Sequence, residues 1–187
     1  MKDNIKVAIY FVACVIFMIL AYVGYNILSE RELDSSLQDI QNTNSKKEEN
    51  IKMPKFELYL ENGEKISSEE LLTGKPLVIN IWTTWCAYCD IEMEYFNKMY
   101  LKEKDNITFV MINATGDRDS KENAKKYIEN KGYKFNVYYD LKLNAISNLG
   151  IYSYPTTIFV NKEGYIDNVH VGVISEEMLK NKIENLK

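Results

Sequence analysis

LVINIWTTWCAYCDIEM, residues 77–93, sets a short apolar run directly before two cysteines three positions apart and an acidic, helix-compatible stretch. LVINIW (77–82) has the length and composition of a central strand buried on both faces. Residues 87–104 suit a helix, with Ile91, Tyr95 and Met99 expected on its inner face. Cys86 therefore falls at a strand-to-helix junction.

Working outward, ITFVMIN (107–113) reads as a second buried strand, so the two strands and the helix between them form a β-α-β unit with a parallel pair. SKENAKKYIENKG (120–132) predicts a helix stopped by glycine, FNVYYD (135–140) a strand, and NAISNLG (144–150) a shorter helix. Then YPTTIFVNKEGYIDNVHVG predicts two strands around a Lys-Glu-Gly turn, followed by a closing helix from Ser175 to about Leu186. Upstream, Phe56, Leu58 and Leu60 alternate before Asn62-Gly63, which predicts a β-hairpin resumed at Ile66. Ser67 or Ser68 followed by EELL predicts a short capped helix, stopped by TGKP (73–76). The order of elements is that of an α/β domain with helices on both faces of a mixed sheet.

Three segments differ in composition. Val7 to Leu28 has no charged side chain and is long enough to cross a ~30 Å hydrocarbon core as a helix. Residues 1–28 are therefore read as a retained transmembrane anchor, since no small-residue cleavage site follows. Lys2 and Lys6 precede the span and an acid-rich flank follows it, placing the N-terminus in the cytoplasm and the remainder outside. Cys14 is a small apolar residue within the span; a lipidated cysteine would end the apolar run rather than sit in its middle. Residues 29–52 are polar and read as a flexible linker, leaving 53–187 as the globular domain. A net charge of −4 without a cluster of basic and aromatic residues argues against a nucleic-acid partner.

Cys86 and Cys89 have four readings. Structural zinc needs four ligands, yet the other cysteine lies in the span and the single histidine is His170. Covalent haem needs histidine after the second cysteine, and Asp90 stands there. A purely structural bridge would close so small a loop that it constrains the unfolded chain little. Redox exchange fits best: free N–H groups and the helix dipole at the junction favour a Cys86 thiolate as nucleophile. Cys89, one turn on, is placed to attack the mixed disulfide and close the Cys86–Cys89 bond. Glu92, three residues beyond Cys89, is the candidate general base. Asp90, Glu92 and Glu94 crowd the helix start with no Lys or Arg between Pro76 and Asn97, which should disfavour the thiolate and make the pair reducing.

NGEKIS, GKPLVINIWTTWCAYCDIEM and, downstream, GIYSYPTTIFVNKEG resemble the TlpA/ResA group of membrane-anchored, extracytoplasmic thiol-disulfide oxidoreductases over nearly all of residues 53–187. The resemblance implies a thioredoxin fold with an N-terminal β-hairpin and an inserted βα element at 114–140, preceded by one transmembrane helix. It implies that Pro155 is a cis-proline facing the disulfide, that Tyr154 offers backbone hydrogen bonds to a substrate chain, and that Glu92 matches the acid of the ResA branch. Asn80 stands where minimal thioredoxins carry a buried aspartate. Trp82, Trp85, Tyr88 and Tyr154 are candidates to line the substrate groove, although Trp82, at a strand end, has the position of a core residue. Two positions depart from the group: Tyr88 replaces the usual proline before the second cysteine, and Glu94 replaces a proline common two residues after the acid.

The implied function is reduction of disulfides in exported proteins, such as apocytochromes c or envelope proteins, with electrons from a membrane thiol-disulfide carrier and no cofactor or metal. A disulfide-forming oxidase or isomerase, and a binding module switched by the cysteine pair, are the alternatives. A peroxidase of the related redoxin class would want Thr83 where it stands but a proline at position 79, which is Ile79.

Overall fold

The computed structural model describes residues 51–186 together with Met18 and Tyr22. The apolar run read as an anchor, apart from those two residues, and the linker up to residue 50 lie outside the described residues. The described chain runs β1 (Ile51–Lys52), β2 (Glu57–Tyr59), β3 (Lys65–Ser67), β4 (Leu77–Trp82), α1 (Ala87–Glu103), β5 (Thr108–Asn113), α2 (Lys121–Lys131), β6 (Val137–Tyr139), α3 (Asn144–Asn148), β7 (Thr156–Val160), β8 (Tyr165–Val171) and α4 (Glu176–Leu186).

The strands form one mixed sheet in the order β1-β8-β7-β4-β5-β6-β2-β3. β4 lies inside it, parallel to β5 and antiparallel to β7, and all six of its residues are buried. Side chains alternate across a strand. Thus Leu77, Ile79 and Ile81 join Val110, Ile112, Ile158 and the α3 residue Ala145 in one core cluster. Val78 and Trp82 join Met93 and Phe96 of α1, Ala124 of α2, and Leu179 and Ile183 of α4 in the other. Asn80 shares the second face by the same alternation, beneath α1, and the register sets it opposite Thr157.

Three local expectations are corrected. The inner face of α1 runs through Cys89, Glu92, Met93, Phe96 and Met99, whereas Ile91 is 51% exposed. At about 100° per residue, Ile91 lies some 200° round the helix from Cys89, so the apolar stripe is phased on the cysteine and not on the isoleucine. Residues 67–72 make successive i→i+3 turns in place of a helix, although Glu69 N donates to Ser67 Oγ and Ser67 N to Glu70 Oε1 as a capping box would. The capping contacts form, but the chain breaks at Gly74 (φ +83°) before propagation can repay nucleation. Finally, Ile51 and Lys52, read as the end of the linker, pair with Ile166 and Tyr165 as an edge strand. That pairing is long-range and leaves no local signal.

The hairpin forms as expected, closed by a three-residue loop in which Gly63 N donates to Leu60 O and Gly63 takes φ +88°. It reaches the sheet through the inserted strand: β6 runs parallel beside β5, and Tyr139 pairs with Tyr59 of β2. Asp140, 1% exposed, locks this junction. Its carboxylate accepts from Asn144 N (2.7 Å) and Ile146 N (3.0 Å), and its own N–H donates to Asn113 O (2.9 Å). Asp140→Ala leaves the α3 donors unpaired and is expected to cost about 2 kcal/mol; a urea midpoint unchanged from the parent would disprove this role.

Candidate active site

Cys86 is the N-cap of α1, with extended backbone (φ −87°, ψ 100°) and its Sγ accepting from Cys89 N at 3.1 Å. The first-turn N–H groups and the positive end of the helix dipole thus meet at this sulfur. Cys86 and Cys89 are joined in a disulfide. Cys86 is 8% exposed and Cys89 1%, so the first cysteine is the one with a route to solvent.

One turn further on, Glu92 is fully buried. Its Oε1 accepts from Asn80 Nδ2 (2.7 Å) and its Oε2 from Ile174 N (2.8 Å); Asn80 Nδ2 also reaches Thr157 Oγ1 at 3.2 Å. Burial pushes the Glu92 carboxyl up to about 7, against the opposing effect of the Ile174 and Asn80 hydrogen bonds. Asn80 Oδ1 is buried without a hydrogen-bond partner. The amide presents its N–H side to an acceptor-only carboxylate, and that orientation leaves the oxygen unpaired.

The other two acids at the helix start behave differently. Asp90 pairs with Lys131 Nζ at 2.6 Å and accepts from Tyr127 OH, which together hold its pKa down; Glu94 pairs with Lys98 at 3.3 Å. The expectation that three acids act jointly on Cys86 is therefore corrected. A stretch without cations in sequence receives one from α2 in space, and Glu92 is the acid of the three buried beneath α1.

The loop before Cys86 is held by residues that local sequence patterns did not single out. Asp119 accepts from Thr84 N (2.7 Å), Thr84 Oγ1 (2.8 Å), Asn113 Nδ2 (3.0 Å) and Ser120 N (2.8 Å). Trp85 Nε1 donates to Asp117 O at 3.1 Å, and the Arg118 guanidinium lies 4.3 Å from the centre of the Trp85 ring. A parallel β4–β5 pair brings the loops after both strands to the same edge of the sheet. That topology, once read from the sequence, is the signal that could have pointed to 117–119.

Trp85 and Tyr154 come together edge-to-face at 5.8 Å, linking the cysteine loop to the Tyr154–Pro155 peptide, which is cis. Burial and the neighbouring charge of Asp117 push Tyr154 up to about 12, so it is a neutral phenol at physiological pH. Tyr88 is 67% exposed at the helix start. Trp82 is fully buried, 5.3 Å from Tyr127, and belongs to the core and not to a groove. His170 contacts Val173 O through Nε2 at 3.1 Å.

Residues 48–186 match the Redoxin family. The thioredoxin-like protein YneN of Bacillus subtilis is 29% identical over 174 residues, covering 90% of this chain and 93% of its own. Thiol:disulfide interchange protein DsbE of Pseudomonas fluorescens is 33% identical over 135 residues, covering 70% of each. Among solved structures, a thioredoxin-family thiol:disulfide interchange protein of Chlorobium tepidum superposes with a TM-score of 0.63 at 23% identity, covering 75% of this chain and 98% of its own, which supports the fold. With a matching family over most of its length, a thioredoxin-like fold and a Cys86–Cys89 disulfide at a helix N-terminus, the chain belongs to the Redoxin family and is a protein-disulfide oxidoreductase of the ResA/DsbE type.

Proposed function

We propose that this oxidoreductase works as a reductant of disulfides in exported proteins, apocytochromes c or envelope proteins among them, tethered to the membrane by residues 1–28 with its catalytic domain, 53–187, outside. The apolar span and its charged flanks support the anchoring. Electrons would reach the pair from a membrane thiol-disulfide carrier.

The Cys86 thiolate attacks one sulfur of the substrate disulfide and expels the other as a thiolate, leaving a mixed disulfide on Cys86. Cys89, deprotonated by Glu92, then attacks Cys86 Sγ and expels the remaining substrate sulfur. Two electrons pass to the substrate, and the Cys86–Cys89 bond closes. Trp85, Tyr88, Tyr154 and Pro155 form the surface along which the substrate chain lies. The observation that carries this reading is the buried Glu92 carboxyl on the helix face of Cys89, poised near neutrality without a cation beside it in its hydrogen-bond set. An anion there opposes thiolates in the dithiol form, raises that form in energy and lowers the reduction potential.

The full-length protein, equilibrated with dithiol buffers, is expected to have a potential nearer about −270 mV than about −120 mV; a value at the upper end would assign it to disulfide formation instead. A Cys89→Ala variant should accumulate mixed disulfides through Cys86 with exported proteins, and a Cys86→Ala,Cys89→Ala control should not. Equal capture by both would defeat the exchange mechanism.

Glu92 also predicts a pH dependence. Its folded pKa, about 7, lies above the ordinary 4.5, so the folded state binds the extra proton between those values. Stability contributed by this group is therefore full below about pH 4.5, falls as pH rises towards about 7 and is level above, for a total on the order of 3 kcal/mol. Urea unfolding of the oxidised protein should show this slope, and Glu92→Gln should remove it. The same slope in both proteins would show that the proton resides elsewhere.

A further inference from the structure

Arg118 is the least expected charged residue near the disulfide. It is one of two residues other than glycine with positive φ among those described (φ +54°), a conformation that arginine seldom adopts. That backbone turn brings its guanidinium to within 4.3 Å of the centre of the Trp85 ring, the residue immediately before Cys86. Asp117 holds the assembly: its carbonyl accepts from Trp85 Nε1 (3.1 Å) and its Oδ1 from Arg118 Nε (3.4 Å), while its charge acts on the nearby Tyr154 phenol. Arg118, Trp85 and Tyr154 thus form one cluster between the cysteine loop and the cis-Pro155 loop.

The cluster is open outward. The Arg118 side chain is 76% exposed, and Nε is the nitrogen that faces Asp117, which leaves the terminal NH2 groups directed to other acceptors. The neighbouring exposed side chains, Tyr88 (67%) at the start of α1 and Tyr152 (97%) before the cis peptide, are aromatic. Other charges around the site are matched within the fold: Asp90 by Lys131, Glu94 by Lys98, and Asp119 by its four donors. An arginine ordered on an aromatic ring has already lost much of the rotamer entropy that binding would otherwise cost, and a planar guanidinium suits a carboxylate.

We propose that Arg118 is a specificity-determining residue of this oxidoreductase, accepting substrate segments that carry an aspartate or glutamate beside the attacked cysteine. Resting on the assigned exchange activity at Cys86, it names the chemical class of segment that the site selects. The substrate strand passes over Trp85 and Tyr154, its carboxylate taking the terminal N–H groups of Arg118 while its sulfur meets Cys86.

The test uses the reduced full-length protein and two cystine peptides of equal length, each with an internal disulfide, one bearing Glu and the other Lys next to the attacked cysteine. The rate of protein oxidation should be about tenfold higher with the Glu peptide at low salt, and the ratio should shrink as salt is added. Arg118→Glu should reverse the order of the two peptides, and Arg118→Lys should restore part of the original ratio. Equal rates for both peptides in the parent, or a ratio that Arg118→Glu leaves unchanged, would overturn the assignment to Arg118 while leaving disulfide exchange intact. No oxidation by either peptide would instead overturn the exchange reading and this inference with it.

Discussion

The pairing register between β4 and β7 is the constraint on which the active site rests. It sets Asn80 opposite Thr157 on the sheet face beneath α1, and only there can the amide reach a carboxylate descending from the helix. A slip of one residue would turn Asn80 towards the α3 side and set Ile79 or Ile81 under Glu92. The acid would then lose a donor in a site already costly to a charge. The third support, Ile174 N, comes from the segment between β8 and α4, so Glu92 joins helix, sheet interior and C-terminal region through two short hydrogen bonds. Burial at such a node raises the carboxyl pKa without making the group homeless, and a carboxyl with two fixed donors and a pKa near neutrality is suited to hold and release a proton.

The parallel pairing of β4 with β5 supplies the second half of the site. Both strands end at the same edge, so the loop carrying Thr84 and Trp85 lies beside the one carrying Asp117, Arg118 and Asp119. Asp119 fixes the backbone leading into Cys86, and Asp117 fixes the ring beside it. The inserted α2 and β6 contribute twice, through Lys131, which neutralises Asp90, and through the Asp140 junction that ties the end of β5 to α3.

What the sequence discloses here is what depends on near neighbours. LVINIW, the cysteine pair and the Gly132 stop each act within a few residues, and each is found where expected. The i+3 relation of Glu92 to Cys89 is likewise a property of one helix, and the helix buries both side chains. The sequence is silent where the partner is remote. β1 exists only because β8 is beside it, and Lys131 meets Asp90 across 41 residues of chain. The expected phase of α1 fails because Ile91 is apolar and Glu92 charged. Burying the acid and exposing the isoleucine breaks the usual pattern, and such a break is expected where chemistry and not packing sets the choice.

That inversion bears on how the electron pair is directed. Cys86 sits at a helix N-terminus that favours its thiolate, while on the proposed reading Glu92 disfavours a second negative charge below it. Asp90 and Glu94 are compensated by lysines and add little to either side. The balance between the two sulfurs thus reduces to one helix terminus against one buried carboxyl. Below about pH 7 the carboxyl is neutral and the terminus dominates; above it the carboxylate opposes accumulation of the thiolate, so the pair gives up its electrons more readily. On that reading a single buried acid can both accept the Cys89 proton and set the direction of transfer, because the proton that leaves the thiol is the one that neutralises the carboxylate.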